Sequence, residues 1–150
     1  MATSINEVTR IGVLEQLVGY HLRRTSSIFA TDFSRAVAGT GMRQVLFGIL
    51  SIIRANPEIN QGNVGRILGI QRANMVSLVN ELVDKGLLHR ETSSEDRRAF
   101  ALTVTPTGEA LVDACLAEIR AHEERLLDQL SAGERATLIR LLMLIESKES

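Results

Sequence analysis

Two helical patterns meet at Leu68-Gly69-Ile70, and that short break constrains the fold more than any other feature of the chain. Before it, Asn60 is placed to cap a short helix, "QGNVGRIL", and Gly69 supplies the left-handed residue on which such a helix closes. After it, "QRANMVSLVNELVDK" sets Met75, Leu78, Val79, Leu82 and Val83 on one apolar stripe, and Gly86 terminates the pattern. A short helix, a tight turn and a longer helix make a helix-turn-helix. The polar side of the second helix's first turns carries Gln71, Arg72, Asn74 and Ser77.

The period then changes from helical to alternating. Leu87 to Glu91 and Phe100 to Thr105 read as two short strands around "TSSEDRR", with Phe100, Leu102 and Val104 alternating with Ala101 and Thr103. Asp96, Arg97 and Arg98 fall at the tip of that hairpin. Long helices flank the unit. Ile11, Leu14, Leu17, Val18, Leu22, Ile28, Phe29 and Phe33 recur at helical spacing from Val8 to about Val37, and a second helix runs from Met42 to Ala55, stopping before Pro57. Thr105 and Pro106 open a further helix as cap and first residue. "SAGE", Ser131 to Glu134, reads as a capping box for the last one, through Ile145. The fold class is therefore mainly α with a small β-hairpin wing.

Composition excludes several functions. A chain of 150 residues is one domain, and 45% hydrophobic content supports a core. Aromatic residues are only 3%, too few for a platform on which single-stranded bases stack. A single Cys forms no internal disulfide and suits a reducing cytosol. "MATSINEVTR" lacks the pattern of a signal peptide, and "VLFGILSII", Val45 to Ile53, is too short to span a bilayer. The expectation is a soluble cytoplasmic protein without membrane contact. The formal net charge is −1, so a nucleic-acid function cannot rest on bulk basicity and needs a motif.

The helix-turn-helix provides one. In that arrangement the second helix lies in the major groove, where Gln71 and Asn74 suit adenine and Arg72 suits guanine or phosphate. A wing directly after it adds a second contact: arginine is drawn to the negative potential of a narrow minor groove, and Asp96 can orient Arg98 through a charge-assisted bond. For each element taken alone, a solvated polar face or an ordinary charged turn is the alternative.

Taken together, "LGIQRANMVSLVNELVDKGLLHRE", the wing "SSEDRRAFALTVTPTG" with its Asp96-to-Ala99 core, and the flanking long helices resemble the MarR family of winged-helix transcription regulators. The resemblance implies double-stranded DNA as partner, at a palindromic operator, and a homodimer built from residues 8–38 and 106–146 around a winged helix-turn-helix at 42–105. It implies a repressor released by a small effector, an aromatic carboxylate or aromatic acyl-CoA such as a hydroxycinnamoyl thioester, and no cofactor. The DNA-contacting residues become Arg66, Gln71, Arg72, Asn74, Ser77, Arg90, Asp96, Arg97 and Arg98. Tyr20, His21, Arg23, Arg24 and Ser27 lie at the depth of the family's effector cleft. Family members often carry Arg or Lys where Ser77 and Glu81 stand here, and Ser or Thr in place of Ala73. This recognition helix is accordingly less cationic.

Other readings are weaker. Cys115 lies mid-helix among Leu111, Val112, Leu116 and Ile119, a setting for a structural thiol rather than a redox sensor. Glu118 with His122, or His21, falls short of a three-ligand metal site. There is no nucleophile elbow, phosphate-cradling glycine loop or clustered acid and base, so no enzyme is expected. A winged-helix module for protein–protein assembly is the rival, and a wing rich in arginine speaks against it.

Overall fold

The computed structural model describes residues 10–92 and 100–148. A turn of 3-10 helix, Gly12–Gln16, leads into α1 (Val18–Ala36) and α2 (Gln44–Ala55). A short strand β1 (Ile59–Asn60) precedes α3 (Gln61–Leu68) and α4 (Arg72–Asp84). The wing strands β2 (Leu88–Thr92) and β3 (Phe100–Val104) follow, then α5 (Pro106–Leu126) and α6 (Ala132–Glu146). The three strands form one antiparallel sheet in the order β1-β3-β2, with Ile59 opposite Leu102 and Arg90 opposite Leu102 from the other side.

The caps explain where the helices lie. Asn60 accepts from the Asn63 N–H at 2.8 Å, and α3 closes on Gly69 at φ 67°. Thr105 caps α5 through the Gly108 N–H, and Ser131 with Glu134 forms a complete capping box on α6. The Thr105 hydroxyl also donates to the Gly86 carbonyl at 2.6 Å, which ties the wing's exit to its entrance. Gly108 is packed against the Leu87 carbonyl and lies so close to Val104 that a Cβ there would stand 2.7 Å from its Cγ1.

The core sits inside the winged unit. Leu46, Ile49, Leu50 and Ile53 of α2 meet Val64 of α3, Met75, Val79 and Leu82 of α4, Leu102 of β3, and Val112 and Cys115 of α5. The stripe expected of α4 is the buried one, with Leu78 and Val83 half-buried at its edges.

Three features differ from the sequence reading by more than a one-residue shift. The first helix is not continuous: Gly12 adopts φ 65° and Leu17 is extended at φ −93°, ψ 113°, so α1 starts at Val18. The apolar residues on both sides of that break keep one periodicity, which conceals it; Val8 lies outside the described residues. The second helix starts at Gln44 rather than Met42, because Gly41 is left-handed and Arg43 extended, while the Thr40 hydroxyl accepts from the Met42 N–H at 3.1 Å. The third strand, β1, was not anticipated. It follows Glu58 at φ 68° and exists through its pairing with β3.

Candidate nucleic-acid interface

α4 buries Met75, Val79 and Leu82 and leaves its opposite side open. At about 100° per residue, the ridge farthest from the core runs through Ala73, Ser77 and Asn80, with Arg72 and Val76 on one flank and Asn74 and Glu81 on the other. Gln71, Arg72, Asn74 and Ser77 are all exposed. Gln71 occupies the N-cap position, yet its side chain makes no capping hydrogen bond and is exposed. Arg66, near the end of α3, is exposed and donates to Asn63 Oδ1 at 2.8 Å.

The wing is fastened to this helix by Arg90. Its Nη1 donates to Asn80 Oδ1 at 2.7 Å, and its guanidinium lies 5.1 Å over the centre of the Phe100 ring. Phe100 and Arg90 are diagonal neighbours across β2 and β3, close enough for a cation–π contact. Asp96, Arg97 and Arg98 lie outside the described residues.

At the far end of α4, Glu81 accepts two bonds from Arg43, at 2.7 and 2.9 Å, and one from Lys85 at 3.2 Å. Hydrogen bonding by Arg43, then by Lys85, lowers the Glu81 carboxyl from 4.5 to about 2. The acid that makes the recognition helix less cationic is thus paired within the protein. Arg43, ahead of α2, anchors the last turn of the recognition helix.

The model of the MarR family matches residues 41–99. The putative transcriptional regulatory protein for the hcr operon of Thauera aromatica is 33% identical over 89% of this chain and 81% of its own. A transcriptional repressor, CouR, bound to a 23-mer DNA duplex superposes with a TM-score of 0.87 at 32% identity, covering 92% of this chain and 98% of that one. CouR bound to p-coumaroyl-CoA gives 0.79 at 30% identity, over 94% and 99%.

The chain belongs to the MarR family.

Other members named in these comparisons are transcriptional regulators and repressors, and the chain is a transcription regulator of the winged-helix type. Asn80, Phe100 and the Arg43–Glu81 pair, all part of the geometry around the recognition helix, were not singled out as site residues from sequence. The apolar-to-polar alternation of α4 marks Asn80 as outward-facing, but only the fold brings Arg90 to it.

The residues at the depth of the family's effector cleft occupy the first half of α1. Tyr20 is half-buried, while His21, Arg23, Arg24 and Ser27 are exposed. His21 Nε2 hydrogen-bonds the Glu15 carbonyl at 2.7 Å, and Arg24 donates to the Tyr20 hydroxyl at 3.4 Å. Two hollows open farther along the helix. One of about 580 Å³ lies between the end of α1 and the start of α2, lined by Ala30, Phe33, Val37, Met42, Arg43 and Val45 among others. A smaller one, about 60 Å³, is lined by residues that include Phe29, Asp32, Gln44, Ile119 and Glu123. Neither of these two is lined by Tyr20, His21, Arg23, Arg24 or Ser27.

His122 pairs with Asp32 of α1 at 2.8 Å, an inter-helix contact rather than one with Glu118. Cys115 is buried, with its sulfur 3.9 Å from the Thr40 hydroxyl. Among the described residues no group of three or more His, Cys, Asp or Glu could hold a metal, and no helix is long and apolar enough to cross a membrane.

Proposed function

We propose that the protein is a cytoplasmic, non-catalytic homodimeric repressor that binds a pseudo-palindromic operator and is released by an aromatic acid or its CoA thioester. The observation that carries DNA binding is the open polar face of α4, with Gln71, Arg72, Asn74 and Ser77 exposed beside a wing fastened through Arg90. Likeness to a CouR structure holding a DNA duplex supports it. Arg66, Asp96, Arg97 and Arg98 complete the contact surface, the wing arginines entering the minor groove.

Apolar surface that one chain leaves uncovered supports dimerisation. α6 buries none of its residues, and Ile139, Met143, Leu144 and Ile145 are all more than half exposed. Ile11, Val13, Leu14, Leu17, Val18 and Leu22 are exposed before and along α1. Faces of this kind on a soluble protein mark an interface. A two-fold partner satisfies both at once, with residues 8–38 and 106–146 as the dimerisation region and 42–105 as the DNA-binding region.

The effector class rests on the likeness to CouR bound to p-coumaroyl-CoA. We place the effector between α1 and the winged unit, as the family resemblance implies, with Arg23 or Arg24 pairing with its anionic group and Tyr20, His21 or Ser27 bonding its polar end; these side chains stand on the first half of α1, apart from the two hollows described above. Titrating hydroxycinnamates, their CoA thioesters and benzoates against the operator complex tests this. Release by one of these classes supports the reading, whereas release by peroxide or zinc alone contradicts it. Linkage requires that the operator weaken effector binding by the same factor.

A further inference from the structure

We propose that Asn80 reads a base edge in the major groove, and that Arg90 is the positioning residue that aims it. The inference rests on the DNA-binding reading above and adds a specificity determinant to it. Arg90 carries only donors, so the Asn80 atom it meets at 2.7 Å must be the amide oxygen. The amide's two N–H donors are thereby turned away from Arg90. The Arg90 guanidinium is itself held over the Phe100 ring, so the fork is fixed by β3 as well as β2.

Asn80 stands on the outermost ridge of α4 with Ala73 and Ser77, and all three are exposed. Two small side chains on that ridge let the helix backbone approach the groove floor, within reach of a short carboxamide. Asn80 lies about 9 Å beyond Asn74 along the helix axis, at roughly 1.5 Å per residue. That separation corresponds to about 2–3 base pairs at the 3.4 Å spacing of duplex DNA. It therefore addresses a position in the half-site that Gln71 and Asn74 do not.

A paired oxygen and outward N–H groups select acceptors: guanine O6 and N7, adenine N7 or thymine O4. The cytosine N4 amino group, itself a donor, is rejected. Asn80→Asp keeps the size and the bond to Arg90 while replacing the outward donors with an acceptor, which suits cytosine N4.

The experiment is selection of operator variants from a randomised half-site library by the full-length parent, Asn80→Asp and Asn80→Ala, with sequencing of the bound fraction. The parent should disfavour cytosine at one position of each half-site by about tenfold or more. Asn80→Asp should prefer cytosine at that position alone, and Asn80→Ala should be indifferent there. Phe100→Leu should weaken the preference at the same position without altering the others, because the guanidinium loses its ring. If Asn80→Asp and Asn80→Ala keep the parent's preference at every position and change only overall affinity, Asn80 is a tether for the wing and the proposal fails. If the parent itself selects no sequence, the DNA-binding reading fails with it.

Discussion

Gly65 of α3 leaves no room for a side chain against Met75 of α4, and substitution there has a calculable outcome. A Cβ on Gly65 would lie 2.8 Å from Met75 Cγ and 3.1 Å from the Ile70 carbonyl oxygen. Met75 is 1% exposed and packed within the core. Gly65→Ala brings about 1 kcal/mol of helix propensity and incurs about 1–3 kcal/mol of overpacking. The net effect should be a loss of up to about 2 kcal/mol. Met75→Ala should cost about 2–5 kcal/mol by leaving a cavity. In that background the clash with Cγ is gone and only the 3.1 Å approach to the Ile70 carbonyl remains, so Gly65→Ala should cost less than it does in the parent. Urea unfolding followed by circular dichroism, at fixed protein concentration because a dimer's stability depends on it, measures all four corners of the cycle. Operator titration of Gly65→Ala should show weaker binding, since α4 is pushed from α3. A Gly65→Ala protein more stable than the parent, or an additive cycle, would refute the packing argument.

Glutamates on the exposed face of α6, Ile139→Glu with Leu144→Glu, should convert the dimer to monomer and abolish operator binding; sedimentation at micromolar concentration checks this, and a monomeric parent would remove the dimer claim. Because Glu81 titrates at about 2 when folded rather than 4.5, its pairing with Arg43 and Lys85 stabilises at neutral pH and is lost as pH falls from 4.5 towards 2. Glu81→Gln should flatten acid unfolding in that window, by a small amount because the pair is exposed. Arg98→Ala should weaken operator binding by about 1–3 kcal/mol and reduce the salt slope by about one unit. Gln71→Ala or Asn74→Ala should instead relax base preference with little change in slope, and an Arg98→Ala protein matching the parent across salt would make the wing an ordinary charged turn.

What the sequence made legible was local. Asn60, Gly69, Thr105 with Pro106, and Ser131 with Glu134 act on neighbours within a turn, and each marks a helix end where the structure has one. The buried stripe of α4 was equally plain, since its period is set by the helix itself. What escaped depends on contacts distant in the chain. β1 is two residues long and is defined by β3, more than forty residues later. Arg43 and Glu81 are 38 residues apart, and neither suggests the other. The negative charge of Glu81 on α4 is plain from the sequence, but its pairing with Arg43 and Lys85 required the fold. The break at Leu17 was hidden because apolar periodicity continues across it.

Footprinting the protein on the DNA upstream of its own gene tests whether it binds an operator as a two-fold dimer. Two symmetric half-sites should be protected, their centres about one helical turn, roughly 10 base pairs, apart, with protection lost on adding the effector. Protection of a single asymmetric half-site, or none at any protein concentration that saturates a dimer, would contradict it.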